Sequence, residues 1–180
     1  MYIKKGLTLL LLLFLCVPLK VCAQFIDWDA HRPLTWADFE GKFDKANPFD
    51  SYTLANVSYT YHWQKGDRLL SYQFKIKNVL LKDSSWVRKN KETPALLKHE
   101  QLHFDIAELY ARKLLLAFNA KIYTANYDQE IKDIYARILK DTRDMQARYD
   151  LETDHSKNKA EQAQWESYMA AQLQQTPPYH

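Results

Sequence analysis

Two histidines and a glutamate stand at the spacing His-Glu-x-x-His near the middle of the chain, as His99, Glu100 and His103. On an α-helix, side chains four positions apart lie one turn above each other on the same face, so both imidazoles could reach one zinc ion. Glu100 would then lie beside the metal, where it could take a proton from an attacking water and pass it to a leaving amine. The spacing predicts a zinc hydrolase with two histidine ligands and a glutamate general base.

The apolar pattern around this motif predicts that it faces the interior. At about 100° per residue, all three motif residues fall inside a wide apolar arc of the helix. Buried imidazoles and carboxylates need partners, because unpaired burial is costly, and a metal ion with its water would satisfy all three. The alternative is that the histidines pair with polar neighbours in the core while Glu100 reaches solvent. The opposite face carries Glu108 and Arg112 as an i,i+4 pair and is predicted to be solvated.

A catalytic zinc needs a third protein ligand and an open coordination position. Asp105 and Glu108 are the acids that follow the motif on the same helix. Both lie on a face that cannot reach the metal, and Glu108 is about 180° from His99 on the helical wheel. The third ligand is therefore expected from another segment, and residues 149–156 are rich in donors. His155 is the favoured ligand, because neutral imidazole suits zinc, and Asp150 and Glu152 are the alternatives. Acids that do not bind metal would orient the histidines, unless the whole segment is only a capping turn.

Alternation of apolar and polar residues predicts an antiparallel hairpin before the motif. The two strands span 52–63 and 69–77, and a turn is predicted at 65–67. Near the start of the chain, Thr35 could cap a short helical turn in an arm that covers the core.

Three helices are predicted after the hairpin. Thr93 and Pro94 provide an N-cap and a first helical residue for the helix that carries the motif, and Asn119 is a plausible end. Amphipathic helices are expected over 127–149 and 157–174, and the tail after them is expected to be disordered. These elements predict an α+β fold.

The first 23 residues have the pattern of a signal peptide. A basic start, a leucine-rich run over 7–17 and the sequence Val21-Cys22-Ala23 predict export and cleavage after Ala23. The run is too short for a comfortable membrane span, although an uncleaved anchor is the alternative. The mature chain, 24–180, is then expected to be one secreted or periplasmic domain with no transmembrane span.

Cleavage would also change the charge and the cysteine content. Both cysteines and three lysines lie in the removed segment, so basic residues fall from 25 to 22 and equal the 22 acidic ones. The mature chain would have no thiolate ligand and no formal net charge. Nucleic-acid binding by bulk positive charge is therefore not expected.

Several segments resemble the bacterial "domain of unknown function 922" family, whose members are predicted secreted zinc-dependent proteases. The segments are Leu34-Thr35-Trp36-Ala37-Asp38-Phe39, Ser85-Trp86, 99–112, and Tyr149-Asp150-x-Glu152-Thr153-x-His155 followed by Gln164-Trp165. The resemblance implies a zincin-like fold and peptidase chemistry. Leu102 and Ser156 depart from it, because glycine is frequent in the family at both positions.

The combined prediction is a secreted zinc metallopeptidase that acts on peptides or proteins. Its α+β, zincin-like fold would have a small antiparallel sheet packed on a central motif helix, with two further helices. The polar edge of the hairpin could align an extended substrate, and Tyr149 is a candidate oxyanion stabiliser. The alternatives are a catalytically silent zincin-fold binding module of the cell envelope and a zinc amidase acting on cell-wall peptides.

Overall fold

The computed structural model describes residues 24–43, 45–65 and 70–179. The strands in these ranges are β1 (Phe25–Asp27), β2 (Ser51–Tyr52), β3 (Ala55–Lys65), β4 (Leu70–Leu81) and β5 (Trp86–Val87). The helices are α1 (Pro94–Ala120), α2 (Tyr127–Thr153) and α3 (Lys159–Gln175). The predicted signal peptide, including Ala23, lies outside the described residues. Within them, no helix is both long enough and apolar enough to cross a membrane.

The predicted hairpin is confirmed, and it forms most of the main sheet. β3 and β4 pair antiparallel along the whole of β3, and β1 pairs with the other edge of β4. β2 and β5 form a separate antiparallel pair. Val57 and Ile76 lie on the apolar face of the hairpin and are buried against the helices. The turn predicted between the strands extends into 66–69, outside the described residues.

Helix α1 is the central element, with the hairpin on one side and α2 and α3 on the other. It begins as predicted, because Thr93 Oγ1 accepts a hydrogen bond from Leu96 N at 3.1 Å and Pro94 is the first helical residue. Its fully buried apolar residues are Ile106, Leu109, Ala111, Leu114 and Phe118. Complete burial of each larger side chain contributes about 1.5–3 kcal/mol. These residues anchor the helix that carries the motif.

The prediction that the Glu108 and Arg112 face of α1 is solvated is wrong. Glu108 is 0% exposed and Arg112 is 7% exposed. Arg112 Nε donates to Glu108 Oε1 at 2.9 Å, while Asn78 Nδ2 and Tyr179 Oη donate to Glu108 Oε2 at 3.3 and 3.0 Å. We call Asn78, Glu108, Arg112 and Tyr179 the closed cluster. A helical wheel cannot reveal it, because the donors other than Arg112 come from β4 and from the C-terminal segment.

The prediction that the C-terminal tail is disordered is also wrong for the residues described. Arg112 Nη1 donates to the carbonyl oxygens of Leu173 and Thr176, both at 2.8 Å. Tyr179 then reaches Glu108 within the closed cluster. The tail is held because α1 presents a buried ion pair that needs these extra partners.

The N-terminal arm carries the short helical turn predicted after Thr35, here a 3₁₀ turn over Trp36–Asp38. Buried Asp38 accepts from Thr35 N at 2.8 Å, from Thr35 Oγ1 at 3.0 Å and from Arg32 Nη2 at 2.8 Å. Burial alone would raise the pKa of Asp38, but these hydrogen bonds and the Arg32 charge hold it below its usual range. The arm packs against α1, where Trp28 Nε1 donates to Asp105 Oδ1 at 2.8 Å.

Helix α2 runs further than predicted, so that Asp150 lies in its last turn. A tight loop then joins α2 to α3, and Asp154, His155 and Ser156 in it have φ values of 45°, 49° and 75°. This left-handed region costs a non-glycine residue free energy. The complete architecture is α+β, with small antiparallel sheets, a central helix and two further helices, as predicted.

Candidate metal centre

Helix α1 places the two motif histidines one turn apart on the same face, towards α2. The Nε2 atoms of His99 and His103 lie 3.2 Å apart. His99 is only 2% exposed. Two imidazole nitrogens therefore point at one position, as the motif spacing predicts.

Helix α2 brings a carboxylate to the same position. Asp150 Oδ1 lies 3.1 Å from His99 Nε2 and 3.0 Å from His103 Nε2. His99, His103 and Asp150 form a group that could hold a metal ion, with one ligand atom from each residue within 4.8 Å of the others. The carboxylate comes from an antiparallel neighbouring helix, about fifty positions away in sequence.

The outward nitrogen of His103 faces a glutamine amide. Gln146 Oε1 is hydrogen-bonded to His103 Nδ1, and Gln146 Nε2 donates to His103 O at 2.9 Å. The second contact fixes the orientation of the amide, so its oxygen faces the ring and Nδ1 must carry the proton. The Nε2 atom of neutral His103 then keeps its lone pair for a metal.

His99 is oriented in the same way by a residue of α3. Gln162 Oε1 lies 3.2 Å from His99 Nδ1 and also accepts from Tyr149 Oη at 2.8 Å. Gln162 Nε2 donates to Glu166 Oε1 at 3.2 Å, so the amide orientation is again fixed. In their neutral form, both histidines therefore present Nε2 lone pairs toward the same point.

The charge at this point is set by Asp150. Burial would raise the pKa of Asp150, but hydrogen bonds with His103 and His99 hold it well below its usual range. For His103, burial would lower the pKa, and the hydrogen bond to Asp150 with the charges of Glu100 and Asp150 raises it. An ionised carboxylate between two imidazoles is a negatively charged environment that attracts a proton or a metal cation.

Glu100 lies on the side of α1 that faces β2 and is 3% exposed. Ser51 Oγ donates to Glu100 Oε1 at 2.5 Å, and Thr53 Oγ1 donates to Glu100 Oε2 at 2.6 Å. Two hydroxyl groups thus fix both oxygens of the carboxylate. The arrangement holds Glu100 beside the histidines and outside the His99, His103 and Asp150 group.

The structure places His155 next to this group but outside it. His155 Nδ1 lies 3.3 Å from Asp150 Oδ1, and its ring lies 4.3 Å from that of Phe49. Asp150, the alternative in the sequence analysis, contacts both imidazoles directly. The geometry favours Asp150 as the third ligand, and the role of His155 stays a prediction.

The other two candidates from residues 149–156 face the protein interior or α3. Glu152 Oε2 accepts from Trp165 Nε1 at 2.8 Å. Tyr149 is fully buried, and its ring stacks on His99 with centroids 4.6 Å apart. Its hydroxyl is bonded to Gln162, and burial raises its pKa. These contacts favour a packing role for Tyr149, and the oxyanion role stays a prediction.

A cavity of about 550 Å³ opens beside the candidate metal group. His99, Glu100, His103, Asp150 and His155 all line it, together with residues 48–55. The group is therefore buried on the protein side and accessible to a small molecule or an extended peptide on the other. Such a concave site with few convergent polar groups is typical of a substrate-binding site.

Sequence reasoning missed the four side chains that orient the motif residues. Gln146 was detectable in principle, because it precedes Asp150 by four positions on the same face of α2. Gln162, Ser51 and Thr53 carry no such signal, since they come from other elements and their types are common on surfaces. The orienting groups of the histidines are amides rather than the acids that the sequence analysis proposed.

Two imidazoles and a carboxylate at the wall of a cavity define a candidate metal-binding protein of α+β fold. The family described as "Bacterial protein of unknown function (DUF922)" matches residues 28–156, and the chain belongs to this family. The matched region contains the candidate metal group, Glu100 and His155, and it ends before α3. No curated protein and no solved structure matches the chain.

Proposed function

We propose that this chain is a zinc-dependent metallopeptidase with a zincin-like fold that hydrolyses peptide bonds. The proposal rests on the convergence of His99 Nε2, His103 Nε2 and Asp150 Oδ1 on one point. Glu100 lines the same cavity. Two imidazoles and one carboxylate with an open position form a donor set used by zinc hydrolases.

The residues present fit a zinc ion. The two Nε2 lone pairs and the Asp150 carboxylate are all acceptors, so a cation at their centre would turn mutual repulsion into attraction. When bound, zinc supplies a Lewis acid that polarises the substrate carbonyl and increases the acidity of the attacking water. Gln146 and Gln162 contribute by holding the proton of each ring on Nδ1, so that Nε2 faces the metal position.

Glu100 is the proposed proton carrier. One of its oxygens takes a proton from the attacking water and returns it to the nitrogen of the leaving amine. Ser51 and Thr53 occupy one lone pair on each oxygen, which leaves further lone pairs free for the proton. Because both hydroxyls hold the carboxylate in place, little orientational freedom is lost during the reaction.

We also propose the compartment and the substrate class. The leader sequence supports a secreted or periplasmic enzyme that is cleaved after Ala23. The cavity beside the metal group, lined by residues 48–55, supports a peptide or protein substrate, and the absence of net charge on the predicted mature chain argues against a nucleic acid.

Metal content is the first test. Purified residues 24–180 should contain about one zinc per chain by elemental mass spectrometry. His99→Ala and Asp150→Asn should lose it, whereas His62→Ala, an exposed histidine on β3, should keep it. Retention of zinc in His155→Ala would establish Asp150 as the third ligand. A parent chain without metal after zinc is supplied at neutral pH would overturn the proposal.

Hydrolysis is the second test, with unfolded protein and peptidoglycan fragments as substrates. Glu100→Gln should keep its zinc and lose about 10²–10⁴-fold in kcat. Glu92→Gln, at an exposed position before α1, is the matched control and should keep full activity. Cleavage of peptidoglycan fragments alone would support the zinc amidase, and bound zinc without cleavage of either substrate would support the binding module.

A further inference from the structure

The cavity extends well beyond the residues that the proposed hydrolysis uses. Gln146 and Leu139 continue the cavity wall along α2 from Asp150. At 1.5 Å per residue, Leu139 lies about 16 Å along the helix from Asp150. Val57 of β3 and Ala107 of α1 line the cavity as well. The cavity is therefore a groove with a metal end and an apolar end.

The apolar end can accommodate an apolar side chain. Val57 and Ala107 belong to the hydrophobic core, and Ala107 leaves room where a larger residue would fill the groove. Leu139 is half-buried. A guest side chain placed among these three would leave water for an apolar surface, which is favourable.

An arginine, Arg143, lies on the same wall between the two ends. Arg143 lines the groove and is exposed. Its charged neighbours on α2, Lys140 and Asp144, pair with each other at 2.6 Å. Within the described residues, Arg143 makes no hydrogen bond and no ion pair. Its guanidinium offers a planar fork of donors that matches a carboxylate.

We propose that the groove selects peptides with a carboxylate bound by Arg143 and an apolar side chain that lies further from the metal end, against Leu139. Arg143 is seven positions from Asp150, about 10 Å along α2. An extended peptide covers that distance in about three residues. The carboxylate can belong to an acidic side chain or to the C-terminus of a short peptide. This selectivity rests on the proposed function, because only a hydrolase needs to align a peptide with the metal.

Peptide binding tests Arg143 without requiring turnover. Zinc-loaded Glu100→Gln protein is titrated with two pairs of fluorescent peptides. The peptides of one pair carry Glu or Gln three residues from the central bond, and those of the other pair have a free or an amidated C-terminus. We expect about tenfold tighter binding of one acidic form, and the pair that shows it identifies the source of the carboxylate. Adding Arg143→Gln should reduce this ratio to about one. Adding Arg137→Gln, an exposed arginine of the same helix, should leave it unchanged.

Substitution of Leu139 tests the apolar end. The Leu139→Ala variant enlarges the groove, so the preferred guest should shift from Leu or Val towards Phe or Trp by several-fold in relative affinity. Leu116→Ala, on an exposed position of α1, is the control and should not shift it.

The proposed hydrolysis and the selectivity of the groove can be tested separately. If the parent chain cleaves no peptide but Glu100→Gln protein still prefers acidic, apolar peptides through Arg143, then the proposed function fails and the selectivity holds. If peptides are cleaved but acidic and amide forms bind equally, or if Arg143→Gln keeps the preference, the inference about the groove is overturned.

Discussion

The closed cluster and the candidate metal centre lie on the same helix, with Glu108 about 7.5 Å along α1 from His103. Their buried charges are compensated in different ways. In the closed cluster, both oxygens of Glu108 accept hydrogen bonds from donors that include the Arg112 guanidinium. In the metal centre, two imidazole nitrogens and Asp150 Oδ1 face one another at 3.2, 3.1 and 3.0 Å.

This contrast separates a structural polar cluster from a functional one. Burial and charge occur in both clusters, so neither property identifies the site. The closed cluster contains a permanently charged arginine, whereas the metal centre gathers two imidazole nitrogens and a carboxylate beside a cavity, with no lysine or arginine among the described residues paired with Asp150. An excess of buried acceptors that open on a cavity is the feature that indicates a metal site.

The matched pair Glu108→Gln and Asp150→Asn should show the largest contrast. In metal-free protein at pH 8, Glu108→Gln should lower the free energy of unfolding by about 3 kcal/mol, because it leaves the buried Arg112 charge without its partner. Asp150→Asn should cost about 1 kcal/mol or less, since an amide can donate to a neighbouring Nε2. Urea unfolding measures both. Equal losses in the free energy of unfolding would show that the two sites do not differ in how their buried charge is compensated.

In the presence of zinc, substitution of Asp150 should have a large effect on stability. At a free zinc concentration of 100 times Kd, binding should stabilise the parent chain by about 2.7 kcal/mol. Asp150→Asn should lose most of this gain, while Asp154→Asn, an exposed position beyond the end of α2, should keep it. Thermal unfolding with and without zinc measures the effect. A gain that survives in Asp150→Asn would exclude Asp150 as a ligand.

Asp38 extends the comparison to pH, because it is another buried acid with its own cation, Arg32. Its pKa is lower folded than unfolded, so its contribution is complete above about pH 4, the pKa in the unfolded chain, and is lost as pH falls through the folded value. Asp38→Asn should cost about 1–2 kcal/mol at pH 7 and little in strong acid. Urea unfolding at several pH values measures it, and a cost that persists unchanged at acid pH would contradict this assignment.

The smallest expected effect is in the loop that presents His155 to the metal centre. Ser156 has a φ of 75°, a conformation that glycine adopts without steric cost. Ser156→Gly should therefore stabilise the chain by about 0.5–1 kcal/mol and leave zinc content unchanged. Ser167→Gly, inside α3 and exposed, should destabilise by a similar amount. Loss of zinc in Ser156→Gly would show that the strained loop positions the metal centre.

Much of the fold could be predicted from local patterns. Alternation predicted the hairpin, and Thr93 with Pro94 predicted the start of α1, because strand period and helix capping depend on residues close in sequence. The pairing of β2 with β5 and the path of the C-terminal tail were missed. These contacts join short segments far apart in the chain, and no local period marks them.

The helical repeat and the surrounding apolar residues are enough to predict that His99, Glu100 and His103 lie within one wide, mostly apolar arc of a helix. Which of the residues in 149–156 contacts both imidazoles depends on the packing of the helices. α2 continues past 149 and packs antiparallel to α1, so Asp150 faces the histidines while His155 falls in the loop beyond. Packing of β4 and the C-terminal segment on α1 decided that the Glu108–Arg112 pair lies in the interior. Spacing fixes which side chains share a face, but the matching of donors with acceptors depends on which elements meet.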